Sequence, residues 1–234
     1  MTIDEFYDKL TQVFAPGLIN LEKEATFTIV EKNNKDKGNG CIESLSLRHE
    51  GDCIVIQEQL LGNANNSYKG DSSPRLNEAC DSIVITECDG TKYLVLIELK
   101  SSIGKAINKA PSQLKASELR LLSILNCIEG FSIDNYKLCA IATTKKPSTE
   151  EVAKIRQKRE IGERLSERER LMERALVNDI VQSPLGIRKE NVSFDKMPVK
   201  SEYCLECLPF FVLTVERDNT SGEFQLEDVL KQCK

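Results

Sequence analysis

Apolar residues recur at helical spacing at the start of the chain: Ile3, Phe6, Tyr7, Leu10, Val13 and Phe14. The spacing predicts an amphipathic helix, stopped by Ala15-Pro16-Gly17. The pattern then turns to alternation. Residues 25–32, 41–48 and 53–60 predict three strands of an antiparallel meander, with a polar turn at 33–40 and another at 50–52. Residues 62–77, rich in Asn, Ser, Gly and Pro, predict a long loop. Two strongly apolar strands are expected at 81–87 and 92–100, joined through Asp89-Gly90, a favoured hairpin turn. A polar loop is expected at 101–111. Leu114, Leu121, Leu122 and Leu125 then mark a helix over 112–127, and residues 136–144 (YKLCAIATT) a buried strand. The highly charged stretch 149–175 predicts a long exposed helix or an arm that orders on contact. A late strand at 208–215 and a short helix at 226–230 complete the expected elements.

Composition narrows the class. The chain has 234 residues, 40% hydrophobic and 29% charged, which is enough apolar material for a real core and too much for a disordered chain. No apolar run approaches the roughly 20 residues that span a bilayer. The N-terminal MTIDEFYDKL lacks the basic and apolar regions of a signal peptide, so a soluble, cytoplasmic protein is expected. Nine scattered cysteines then read as reduced, buried thiols. Only Cys204 and Cys207 are closely spaced, and with no second such pair a zinc site lacks its ligands. The single histidine, His49, sits in a turn-like stretch, which argues against histidine-centred catalysis.

Charge is uneven. Net charge is −5, yet residues 99–175 carry 16 Lys/Arg against 10 Asp/Glu, a local balance of +6. A basic middle in an acidic protein suggests a local anion-binding face. Lys105, Lys109, Lys115 and Arg120 are candidates for a phosphate-tracking stripe.

Candidate chemistry lies between residues 80 and 116. Asp81 opens one apolar strand, and Glu98 and Lys100 close the next. A hairpin turned at Asp89-Gly90 brings those ends together. Strand alternation puts Leu96, Glu98 and Lys100 on one face and Val95, Ile97 and Leu99 on the other. Two carboxylates beside an ammonium make a site for metal-assisted phosphodiester hydrolysis. Asp81, Glu98 and the Leu99 carbonyl offer hard oxygen ligands for Mg²⁺ or Mn²⁺, and Lys100 can orient the attacking water.

This segment resembles the PD-(D/E)xK nuclease superfamily, that of restriction endonucleases and archaeal Holliday junction resolvases. The matching residues are Asp81, then Glu98-Leu99-Lys100, then a helix carrying Gln113 and Lys115. Cys80 stands where the namesake motif has Pro. The resemblance implies a core ordered helix, three antiparallel strands, helix, strand. It implies Mg²⁺-dependent cleavage of nucleic acid, and substrate contacts from Gln113 and Lys115. A further metal-site carboxylate is common in the family; Asp4, Glu5, Asp8, Glu22 and Glu58 are all open for it.

The expected architecture is therefore α/β: a mixed β-sheet flanked by helices, with a restriction-endonuclease-like core at about 53–144. An N-terminal strand extension precedes it. The charged segment at about 149–175 and an appendage at 176–234 follow, all in one domain of residues 1–234. The expected function is a Mg²⁺-dependent endonuclease, DNA favoured over RNA, of the kind that serves restriction or anti-phage defence. The alternative is an inactive nuclease-fold scaffold that binds a protein or nucleic acid. The acidic net charge points to a protein partner or homo-oligomer, with 149–175 as docking element.

Overall fold

The computed structural model describes residues 1–23, 26–30, 42–62, 79–189 and 204–233. The turn expected at 33–40, and the loop expected at 62–77 beyond Gly62, lie outside these.

Thr2 opens the first helix, α1 (Ile3–Val13), through a capping box. Its hydroxyl accepts the Glu5 N–H, and the Glu5 carboxylate accepts the Thr2 N–H. The chain then forms β1 (Ile19–Glu22), β2 (Thr26–Val30), β3 (Ser44–Arg48) and β4 (Cys53–Gln57). A short helix, α2 (Glu58–Gly62), precedes the hairpin β5 (Ser82–Cys88) and β6 (Thr91–Leu99). Asp89 and Gly90 both adopt positive φ, as the tight turn between those strands requires. Next come α3 (Ile103–Asn108), α4 (Ala110–Leu125), β7 (Tyr136–Lys145), α5 (Thr149–Glu160) and α6 (Glu167–Ala175). The chain ends with β8 (Ile180–Arg188), β9 (Cys207–Val215), β10 (Ser221–Gln225) and α7 (Leu226–Leu230).

Seven strands build one mixed sheet in the order β1-β4-β5-β6-β7-β9-β8. β6, β7 and β9 run parallel, and the remaining neighbours antiparallel. On one face, Ile54, Ile56, Ile83, Ile85, Leu94, Leu96, Ala140 and Ala142 pack against Phe6 and Leu10 of α1, Leu114 and Leu121 of α4, and Met172 of α6. The other face packs against a second sheet, ordered β10-β3-β2, and α7. Both faces of β6 are thus covered, which is why its sequence is apolar at nearly every position rather than alternating.

Three expectations need correction. The early strands do not form one meander: β2 and β3 pair in the second sheet, while β4 joins β1 and β5 in the main one. Their alternation is real, but the two sheets share it. Residues 101–111 hold α3, capped by the Ser102 hydroxyl on the Lys105 N–H, with Ile103 and Ala106 buried. The C-terminal region is no appendage, because β8 and β9 extend the main sheet and β10 completes the small one.

The charged segment is two helices rather than one. Gly162, at positive φ, follows α5 and breaks it. Lys158 pairs with Glu169 at 2.7 Å and Arg159 with Glu173 at 2.6 Å across the two helices. Val152, Ile155, Leu171, Met172 and Ala175 are buried. Of the sparse apolar positions expected to dock a partner, Ile155 and Met172 are spent within the chain's own fold, Leu165 is half-buried and Ile161 is exposed.

His49 ties the layers together. Its Nε2 lies 2.6 Å from Thr86 Oγ1 on the main sheet, and its Nδ1 meets the Glu227 carboxylate on α7. Thr86 is fully buried and donates to the Asp52 carbonyl at 3.0 Å. No substrate reaches that hydroxyl, so the acid–histidine–hydroxyl chain is structural.

Candidate active site

The hairpin register sets the site. Gln57 of β4 pairs with Ser82 of β5, and Ser82 with Ile97 of β6. One further step along the β5–β6 register places Asp81 beside Glu98 in a row at the strand ends. Ile56, Ile83 and Leu96 belong to the helix-side core. By alternation Asp81 and Glu98 look to that same side, at the edge where the sheet face changes from apolar to charged. Glu58, one of the carboxylates open in the sequence, begins α2 just past the β4–β5 register and does not join Asp81 and Glu98 in a metal-holding group among the described residues.

Local bonds hold the row. The Leu99 N–H donates to Asp81 Oδ2 at 2.5 Å, locking the start of β5 to the end of β6. The Lys100 ammonium donates to Glu98 Oε1, and the Lys100 N–H to the Thr143 carbonyl of β7 at 2.8 Å. The Glu98 side chain is 3% exposed and that of Lys100 is 15% exposed. A carboxylate at that depth is tolerated because the ammonium balances its charge.

α4 closes the site from above. The Ser117 hydroxyl accepts the Cys80 N–H at 2.8 Å and so fixes the backbone leading into Asp81. Gln113 lies one turn before Ser117 on the same helix face and is half-buried; Arg120 lies one turn after it and is buried. Burial pushes the Cys80 thiol up to about 12, so it stays protonated beside the carboxylates and offers no thiolate.

Lys115 takes a different place from the one its spacing suggests. Its side chain is fully buried, 2.7 Å from Glu118 Oε2, and donates to the Leu205 carbonyl at 2.6 Å. Glu118 Oε1 accepts the Leu205 N–H at 2.7 Å. The ion pair therefore clamps both backbone groups of Leu205, in the segment leading into β9, to α4. Burial raises the Glu118 pKa, against the pull of Lys115. A lysine so engaged is withdrawn from a phosphate, which corrects the expected substrate contact. The expected basic stripe is broken too: Lys105 and Lys109 are exposed, while Lys115 and Arg120 are interior.

Ser117 and Thr144 escaped the sequence reading. Ser117 lies four residues after Gln113, the helical spacing that should have flagged it. Thr144 follows the helix-facing Leu138, Ala140 and Ala142 on β7.

The donor chemistry suits a hard dication. Two carboxylates and the Leu99 carbonyl gather at one strand end, with neither imidazole nor thiolate among them. Among the described residues no three Asp, Glu, His or Cys side chains form a metal-holding group. The ion would rest on Asp81, Glu98, the Leu99 carbonyl and water, a mode of binding common for Mg²⁺. Cys204 is buried and Cys207 exposed, so the closely spaced thiols sit in different surroundings. No helix of the described residues is long and apolar enough to cross a membrane.

No family model, no curated protein and no solved structure matches the chain.

Proposed function

We propose that the chain is a Mg²⁺- or Mn²⁺-dependent endonuclease that hydrolyses phosphodiester bonds, with DNA as the favoured substrate. The observation that carries this reading is the pairing of Asp81 with the Glu98–Lys100 strand end, where two carboxylates and an ammonium meet at the edge of an otherwise apolar sheet face. The succession α1, β4, β5, β6, α4, β7 supports it. It follows the order helix, three antiparallel strands, helix, strand that the PD-(D/E)xK resemblance implies, with the last strand parallel to β6.

Asp81, Glu98 and the Leu99 carbonyl would hold the metal. The bound ion supplies charge stabilisation for the phosphoryl oxygens and a lowered pKa for its water. Lys100 orients water beside Glu98 and offsets negative charge. Gln113, on the α4 face that carries Ser117, is the remaining candidate substrate contact. A chain of net charge −5 binds a polyanion weakly by itself. Recruitment by a second subunit or by self-association fits that balance, as it would in a restriction or anti-phage assembly.

The test is cleavage of plasmid, linear duplex, single-stranded DNA and RNA by the purified chain. Cutting is expected with Mg²⁺ or Mn²⁺, while Ca²⁺ binds without turnover. Activity that persists in EDTA, or that demands Zn²⁺, overturns the assignment.

The second reading is a scaffold of the same architecture that binds a partner or nucleic acid without cutting. Its support is the state of the site itself: Glu98 is already neutralised by Lys100, and Lys115 is committed to Glu118. Binding with no cleavage under any metal favours it.

A further inference from the structure

The parallel register of β6 and β7 pairs Leu99 with Thr143. The Lys100 N–H bonded to the Thr143 carbonyl continues that ladder by one residue, so Thr144 stands beside Lys100. Thr144 shares the helix-side face with Ala140 and Ala142, and Ala142 is the register partner of Glu98.

The Thr144 side chain is fully buried, and its Oγ1 has no hydrogen-bond partner among the described residues. Its neighbour across the next strand behaves differently. Thr214, paired with Thr144 in the β7–β9 register, donates to the backbone carbonyls of Ala175 and Asn178. A buried hydroxyl without a partner costs stability, and native proteins usually fill such a position with ordered water. Valine has the same shape and would serve the fold better. Thr143 is equally buried and without a partner among the described residues, but only Thr144 lies on the strand face of Glu98 and Lys100, one strand away, and this placement sets its hydroxyl apart.

We propose that Thr144 is a positioning residue of the active site: its hydroxyl and the Lys100 ammonium hold one water between them and fix its place relative to Glu98. This rests on the endonuclease reading and extends it by naming what aims the attacking water. The Thr144 oxygen accepts from or donates to that water and takes no part in bond making.

Three variants test it: Thr144→Val, Thr144→Ser and Thr143→Val. Thr143 is equally buried and also has no described partner for its hydroxyl, but its side chain lies on the opposite face of the strand. Both valine variants should melt at or above the wild-type temperature, by up to ~4 °C. Thr144→Val should lose at least ~10-fold in kcat with little change in KM, Thr144→Ser should recover most of it, and Thr143→Val should keep wild-type kcat. Wild-type kcat in Thr144→Val overturns the proposal. So does a fall in its melting temperature, which would mark a structural hydrogen bond. If the wild type cuts nothing, the endonuclease reading falls first. The water is then sought in a crystal structure: density bridging Thr144 Oγ1 and Lys100 Nζ sustains the geometry, and its absence overturns it.

Discussion

Glu98→Gln should lower metal-dependent cleavage by about 10²- to 10³-fold or more while the protein stays folded. Removing one ligand charge takes several kcal/mol of stabilisation from the transition state, and each 1.36 kcal/mol is tenfold in rate. The amide has the same shape, and Lys100, with its side chain 15% exposed, can turn its ammonium to water when the carboxylate is gone. Asp81→Asn is the companion experiment. Its side-chain oxygen can still accept the Leu99 N–H, so the tie between β5 and β6 survives while the charge is lost. Asp81→Ala loses both. Comparing the two variants separates metal binding from strand locking: Asn should match Ala in lost activity and exceed it in melting temperature. Plasmid-nicking rates and thermal melts provide both readouts. Glu98→Gln activity within tenfold of wild type, on a substrate the wild type cuts, removes Glu98 from the chemistry.

The hairpin carrying these residues was legible because its signals are local. Asp89-Gly90 sets the turn, the turn sets the register, and the register pairs Asp81 with Glu98 whatever else the chain does. β6 and β7 were legible for the same reason: each is a long apolar run, and runs of that kind are buried on both faces. Elements that depend on distant partners were not. β1 and β10 are four and five residues long and have no pattern of their own; they exist because β4 and β3 offer them an edge. β8 contains Pro184 and Gly186, reads as a loop, and forms around an irregular register between Ser183 and Ile187. The strands β2 and β3 were visible, but alternation cannot say which sheet a strand joins.

The same division runs through the site. Asp81, Glu98 and Lys100 follow from hairpin geometry. The further metal-site carboxylate common in the family does not, because no strand register leads to one. Lys115 shows the reverse error. On a helix that shares a face with Gln113, Ser117 and Arg120, a lysine two residues from Gln113 points elsewhere, because helical neighbours recur at three and four, not at two. Its partner three residues on, Glu118, was the available clue.

The largest stability effect should therefore come from Lys115 rather than from the site. Lys115→Met leaves the Glu118 carboxylate buried with the Leu205 N–H and the more distant charge of Lys189 to answer it, and strips the Leu205 carbonyl of its donor. Breaking a fully buried pair from one side costs about 3–5 kcal/mol, a loss of roughly 6–20 °C in melting temperature for a chain of this size. Adding Glu118→Gln should restore part of the loss, since the amide oxygen still accepts from Leu205 and no charge remains to bury. The two changes are then strongly non-additive. The pH dependence has a fixed sign. Burial raises the Glu118 pKa, and Lys115 supplies the opposing pull, so removing the lysine raises it further. A carboxyl with a folded pKa above its unfolded value binds more protons in the native state, and stability rises as pH falls through that interval. The deficit of Lys115→Met should accordingly be greatest at high pH and shrink on acidification towards the ordinary carboxylate range. Melts at a series of pH values measure it. A single variant within about 2 °C of wild type at every pH would mean that the Lys115–Glu118 pair does not hold the Leu205 segment to α4.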